Sequence, residues 1–230
     1  MTQLTGRERA VYVQNMFTRI ARKYDLMNRL MTGFQDVRWR KQVIHLAKLS
    51  PGTRLLDLGT GTGDLAREAL RQQAQARVTA ADFTIEMMRA GSRSGSLAWC
   101  GADALGLPFR DEIFDAVVSG FLMRNVIDLQ KGIREQYRVL RKGGRIVILD
   151  TTRPKRNLLS PLIWIHMHWV IPTLGWLLSG VREAYTYLPE TSEGFVTAER
   201  LGAQLAAAGF RRIGFQRLMF GTIAIHWAEK

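Results

Sequence analysis

Over the first fifty residues, apolar positions recur three and four apart with basic residues between them. "ERAVYVQNMFTRIARKYDLMNRL" keeps this spacing and predicts helix, "DVRWRKQVIHLAKL" repeats it, and "SPGT" at 50–53 ends it. The pattern then changes. The short apolar runs RLLDL, RVTAAD, SLAWCGAD, IFDAVVSG and GRIVILDT are interspersed with the amphipathic stretches DLAREALRQQ, TIEMMRA and LQKGIREQYRVL. Strands alternating with helices predict an α/β fold, a mostly parallel sheet covered on both faces. Thr84 stands where a helix N-cap is expected. "AERLGAQLAAAGF" predicts a late helix stopped by Gly209, and "RRIGFQRLMF" and "TIAIHWAE" a closing hairpin around Gly221.

One stretch breaks the alternation. From Asn157 to Val181 there is no charged residue, which by length and apolarity makes it a candidate membrane span. Pro161, Pro172, Gly175 and two histidines interrupt it. A span would also put the last helix and hairpin across the bilayer from the sheet they complete. A lid or interfacial helix is the expected role, with ordinary core packing as the alternative. The organisation expected is a single domain: a helical cap over 1–50, a core over 51–152, the apolar lid over 153–195, and the closing helix and hairpin over 196–230.

Charge adds a class of partner. Lys and Arg number 33 against 20 Asp and Glu, a formal +13, which favours anionic partners: nucleic acid, acidic membrane or phosphorylated ligands. No RNA or DNA module is visible, and the basic residues lie on amphipathic helices, so no nucleic acid is expected. Trp164, Trp169 and Trp176 read as packing or interfacial anchors rather than a base-stacking platform. The single cysteine, Cys100, excludes an internal disulfide and a cysteine-based zinc cluster and suits the cytosol. "MTQLTGRERA" has no apolar signal core, so no secretion signal is expected. His166 and His168 lack a third partner at metal spacing, and no metal site is expected. Either could touch an acceptor from the lid; His226, alternating within a strand, reads as structural.

The chemistry concentrates in "LLDLGTGTGDLA". A strand entering a glycine turn and a helix brings backbone N–H groups and a helix N-terminus close to a ligand. Gly59, Gly61 and Gly63 form GxGxG, not the GxGxxG of dinucleotide sites. Asp64 follows at once; it would repel a pyrophosphate and suit a cation, such as the ammonium of S-adenosylmethionine. Asp82 ends the second strand, where a carboxylate accepts from ribose hydroxyls. Asp103 ends the third, placed to meet an adenine amino group. Acids at successive strand ends, with no phosphate-binding lysine in the turn, point to the sulfonium donor.

On these residues the chain resembles the ubiquinone/menaquinone biosynthesis C-methyltransferases. "MFTRIARKYDLMNRLMTGFQDVRWRK" is similar to that family's first block, "FLMRNVIDLQKGIREQYRVLRKGGRIVILD" to its central block, and "AYTYLPETSEGF", "LAAAGF" and "GTIAIHWAEK" to its tail. The resemblance implies a Rossmann-like sheet of seven strands with the last antiparallel. It implies S-adenosylmethionine as donor and methylation of a ring carbon on a polyprenylated quinol. It places Gly59, Gly61, Asp82 and Asp103 at the donor, and Arg124, Asn125 and Tyr24 in the catalytic pocket. The chain departs from the family at Leu122, where glycine is usual, and at Leu105, Lys142 and "LDTTRP". A quinol tail in the bilayer gives the basic side chains Arg19, Arg22, Lys23, Arg29, Arg38, Arg40 and Lys41 a role: drawing the enzyme peripherally to anionic lipid on the inner membrane face. A homodimer is compatible with the resemblance. Another lipid or small apolar acceptor is the alternative substrate.

Overall fold

The structure is a computed structural model and describes residues 6–21, 23–92, 97–153, 160–170, 173 and 191–230. The N-terminal helical pattern resolves into three helices, α1 (Gly6–Ile20), α2 (Tyr24–Met31) and α3 (Gln35–Ala47). The chain then alternates through β1 (Arg54–Leu58), α4 (Asp64–Gln72), β2 (Arg77–Asp82), α5 (Ile85–Gly91), β3 (Ala98–Gly101), β4 (Phe114–Gly120), α6 (Leu129–Val139) and β5 (Leu140–Thr151). A short α7 (Ser160–Ile165) runs into a π turn at His166–Val170. The chain closes with α8 (Ala198–Ala207), β6 (Arg211–Leu218) and β7 (Ile223–Glu229).

Seven strands form one sheet in the order β3-β2-β1-β4-β5-β7-β6. Pairing is parallel from β3 through to β5, and β7 runs antiparallel between β5 and β6. The hairpin is thus inserted, its second strand lying inside its first. Both sheet faces are buried, as a parallel sheet requires. Alternation sorts the side chains. Leu55, Val118, Val147 and Leu149 pack with Val43, Ile44, Ala66 and Ala69 of α3 and α4. Leu56, Leu58, Val117, Ile146 and Ile148 pack with Ile133, Leu201 and Leu205 of α6 and α8.

Two sequence expectations change here. Helix α3, grouped with the cap by its charge pattern, packs on the sheet: Trp39, Val43, Ile44 and Ala47 are all buried there. Only α1 and α2 form a separate cap, around a small core of Met16, Ile20, Met27 and Met31. Thr84 holds the N-cap position of α5 but makes no side-chain cap; its backbone N–H donates to Asp82 instead. Most of the apolar stretch 157–181 lies outside the described residues. Within it, Trp164, Ile165, Trp169 and Val170 are exposed. Among the described residues no helix is long and apolar enough to cross a membrane.

Candidate active site

A cleft enclosing about 900 Å³, open mouth included, lies at the carboxyl ends of β1, β2 and β4, where open α/β sheets bind ligands. Its floor is the turn after β1. Gly59 and Gly61 line the cleft with φ of 68° and 58°, a region that favours glycine. The turn is pinned to β2 by Gly59 and Thr60 N–H groups donating to the Ala81 carbonyl at 2.8 and 3.0 Å. From below, Asp57 is fully buried and its Oδ2 accepts from Thr60 Oγ1 at 2.6 Å and Ala66 N at 3.0 Å. Its Oδ1 has no hydrogen-bond partner. Burial pushes the Asp57 carboxyl up to about 7, against the pull of those two hydrogen bonds.

Asp82 lines the cleft. Its Oδ2 accepts from Gly61 N and its Oδ1 from Thr84 N, both at 2.7 Å. Each oxygen keeps a lone pair for a further donor. Burial raises the Asp82 carboxyl above its usual range, against hydrogen bonds from Thr84 and Gly61. Asp103 also lines the cleft; its Oδ1 accepts from Leu105 N at 2.9 Å. Between the two acids lie Phe83, Met87, Ala102 and Leu105, an apolar slot.

Gly63 and Asp64 lie elsewhere. Neither lines the cleft. Gly63 caps α4 with φ 92°, and a Cβ there would stand 2.8 Å from the Trp99 ring, so its role is close packing. The Asp64 carboxylate faces Arg67 at 3.0 Å, Arg40 at 3.7 Å and Arg29 at 3.8 Å. Three guanidiniums already occupy the position that the sequence reading gave to an ammonium. Arg40 also pairs with buried Asp36. Burial works against the Arg40 cation, but Asp64 and Asp36 outweigh it and hold its pKa above the usual range.

The opposite wall combines the cap with the turn after β4. Val13, Gln14, Phe17 and Tyr24 come from the cap, and Phe121, Leu122 and Asn125 from the turn. Phe121 adopts φ 58°, an uncommon conformation for a bulky residue. It carries Leu122 over the glycine turn, where a Cβ on Gly59 would meet the Leu122 side chain at 2.9 Å. Asn125 Nδ2 donates to the Phe121 carbonyl at 3.0 Å. Arg124 stands behind this wall: its guanidinium lies 5.2 Å from the Phe121 ring centroid and 2.8 Å from Asp150 Oδ1. Tyr24 is half-buried, and burial raises its phenol above the usual value against the opposing Arg124 cation.

Asp150 is the residue that sequence reading missed. The rule that found Asp82 and Asp103, an acid at a strand's carboxyl end, applies equally to Asp150 near the end of β5. Met87 and Phe83 carried no such signal, whereas Leu122, singled out as a departure from the family, does line the cleft. Of the histidines, His226 is buried with Nε2 2.9 Å from the Ala198 carbonyl, and burial lowers its pKa. His168 stacks on Trp164 and meets Glu193 at 3.3 Å; the His166 side chain is outside the described residues. Among the described residues no group of three or more His, Cys, Asp or Glu is placed to hold a metal.

The donor fits this cleft. Bare backbone at Gly59 and Gly61, spare acceptor capacity on Asp82 and an apolar slot for an aromatic base suit a nucleoside with an amino-acid tail. Sheet order and site together define a class I methyltransferase with S-adenosylmethionine as its donor. The same fold occurs in a methyltransferase from Thermotoga maritima described as a possible histamine N-methyltransferase, with 18% identity and a TM-score of 0.68 over 94% of this chain and 99% of that one. The chain belongs to the ubiE/COQ5 methyltransferase family, whose model matches residues 3–230. It is 42% identical over 94% of its length to the demethylmenaquinone methyltransferase of Thermus thermophilus, all of which is covered. It is 41% identical over 95% of its length to the ubiquinone/menaquinone biosynthesis C-methyltransferase of Desulfotalea psychrophila, 90% of which is covered.

Proposed function

We propose that the protein methylates a ring carbon of a polyprenylated quinol, working at the face of an anionic membrane. The observation that carries this is the composition of the cleft. A donor half built of glycine turn and acids meets an acceptor half built of Phe17, Tyr24, Phe121 and Leu122, in a family whose relatives are named for quinone methylation.

The bound donor supplies an electrophilic methyl group on sulfur. Gly59, Gly61 and Asp82 would hold it by backbone contact and ribose hydrogen bonds, with Asp103 toward its base. A quinol becomes a carbon nucleophile as its hydroxyl gives its proton to water in the open cleft, because phenolate charge reaches the ortho carbon. Tyr24, whose phenol carries its proton at neutral pH, can donate a hydrogen bond to that oxygen. Asn125 presents its amide on the same wall, and the Arg124 cation behind it favours the developing negative charge. Transfer would break the sulfur–methyl bond as the carbon–methyl bond forms, the donor leaving as its neutral thioether; the ring hydrogen would then leave as a proton to a water at the Asn125 edge of the cleft, restoring the aromatic ring.

A membrane-facing surface is supported by the elbow between α2 and α3. Leu26, Leu30, Phe34 and Val37 are exposed there, with Phe34 57% exposed. Lys23, just before α2, and Arg38 and Lys41 of α3 are exposed as well. Exposed apolar side chains with exposed cations on the same elements suit the headgroup boundary, at about 1 kcal/mol for each basic residue near an anionic surface. The basic set is smaller than the sequence suggested. Arg40 is enclosed in ion pairs, Arg29 faces Asp64, and Arg22 is outside the described residues.

Two experiments test the reading. With labelled donor, label should enter a demethylnaphthoquinol or benzoquinol acceptor; label entering only a non-quinol lipid would overturn the acceptor assignment. With vesicles, sedimentation should need acidic lipid and weaken in Phe34→Asp. Binding indifferent to both would remove the membrane surface while leaving the chemistry untouched.

A further inference from the structure

We propose that Asp150 is the positioning residue for Arg124: it grips that arginine by main chain and side chain together and so sets where the cation stands behind the acceptor wall. The proposal rests on the reading that this wall receives the acceptor's charge. The two carboxylate oxygens divide the task. Oδ1 accepts from Arg124 Nη1 at 2.8 Å and from Thr151 N at 2.7 Å. Oδ2 accepts from the backbone N–H of Arg124 at 3.2 Å. One carboxylate thus ties the 3-10 turn at Met123–Asn125 to the tip of β5. Asn125, the next residue, is carried by the same turn.

The pair is shielded, with the Arg124 side chain 8% exposed and that of Asp150 1%. A buried ion pair often adds no more stability than an apolar pair of the same volume. This one does not sit in the middle of the apolar core. It lies at the cleft wall, with the guanidinium over the Phe121 ring that lines the cleft. Arg124 Nε has no hydrogen-bond partner. Without Asp150, nothing described in the structure would hold the guanidinium's Nη1 end, and the charge could swing away from Tyr24 and Asn125. Misplacing a group by about 1 Å costs up to 100-fold in rate.

The test is a cycle on the full chain: Asp150→Asn, Arg124→Gln and the double variant. Calorimetry with S-adenosylhomocysteine should give affinities within about twofold of wild type for all three, because Asp82 and the glycine turn are untouched. Asp150→Asn should lower kcat roughly 30- to 100-fold with little change in acceptor KM, and Asp150→Glu should recover most of it. Adding Asp150→Asn to Arg124→Gln should cost no more than about a further twofold, because Asp150 acts only through Arg124. Losses that multiply, or Asp150→Asn with wild-type kcat, overturn the proposal. The double variant leaves no unpaired buried charge, so that arm still reads if Asp150→Asn alone does not fold. Wild-type protein inactive on every quinol would instead defeat the acceptor assignment. The Arg124 guanidinium signal in heteronuclear NMR, identified by its loss in Arg124→Gln, then decides the geometry alone. It should be resolved in wild type and Asp150→Glu and merged with the mobile arginines in Asp150→Asn. A signal unchanged in Asp150→Asn overturns the proposal.

Discussion

Gly91→Ala sets helix propensity against packing. Gly91 ends α5, and alanine is favoured over glycine in a helix by up to about 1 kcal/mol, so sequence logic expects a gain. The structure reverses the sign. A Cβ on Gly91 would stand 1.9 Å from the Thr62 carbonyl oxygen, 2.5 Å from its carbon and 2.8 Å from its Cα. Ordinary contact is about 3.5 Å, so the two backbones must separate by roughly 1.5 Å. Neither side is a flexible side chain that can step aside. Overpacking costs about 1–3 kcal/mol and sometimes more, so a net loss of about 2–3 kcal/mol is expected. The displaced segment is the donor turn itself, and Met87 of α5 lies against Gly61 within it. Donor affinity should therefore fall by about 1.4–2.8 kcal/mol, that is 10- to 100-fold. Urea unfolding at neutral pH and calorimetry with S-adenosylhomocysteine read the two effects. Gly106→Ala is the control: a Cβ there meets nothing within 4 Å, and stability should stay within about 0.5 kcal/mol. Gly91→Ala as stable as wild type, with unchanged donor affinity, would refute the packing argument.

Asp57→Asn tests the buried carboxyl beneath the turn. Its folded pKa of about 7 lies above the unfolded value, so the folded chain holds a proton that the unfolded chain has lost, and stability falls as pH rises from about 4 to 7. The amide cannot ionise, so the variant should gain stability relative to wild type between pH 5 and pH 8 in urea titrations; an equal difference at both values would contradict the shift. Arg40→Leu should cost about 3–5 kcal/mol by denaturant unfolding, because Asp36, 0% exposed, loses its arginine and keeps a buried charge beside only the Thr32 hydroxyl. Exposed Arg38→Leu should stay within about 0.5 kcal/mol, and equal costs for the two would dismiss the ion-pair argument.

Periodicity located β1, β2, α4 and α6 nearly to the residue, because each follows one pattern from end to end and stops at a glycine, an acid or a turn. The N-terminal block was harder. Its amphipathic spacing runs unbroken through α1, α2 and α3, and only tertiary contact tells a cap helix from one lying on the sheet. The lining of the cleft was legible at Asp82, which ends β2, and at Asp103, which lies two residues past the end of β3. It was illegible where direction decides. Asp64 is one residue beyond Gly63, yet the first turn of α4 aims its carboxylate at α2 and α3, where Arg29 and Arg40 lie. No one-dimensional pattern carries that angle.

The same geometry changes what the net charge means. The glycine turn is surrounded by acids that are already engaged: Asp57 by Thr60 and Ala66, Asp64 by three arginines, and Asp25 by the Thr62 hydroxyl at 2.7 Å. Burial, with Asp64 adding to it, raises the Asp25 carboxyl above its usual range. Arginines facing this region therefore balance carboxylates inside the fold and add little to the outer field. Arg124 does the same against Asp150 on the far side of the cleft. Exposed cations are spread over the chain, among them Arg38 and Lys41 of α3 and Arg54, Arg77, Lys131, Arg141 and Arg211 elsewhere. Tyr24 in the cleft wall and the exposed Leu30 lie on one helix, α2, about 12 Å long at 1.5 Å per residue.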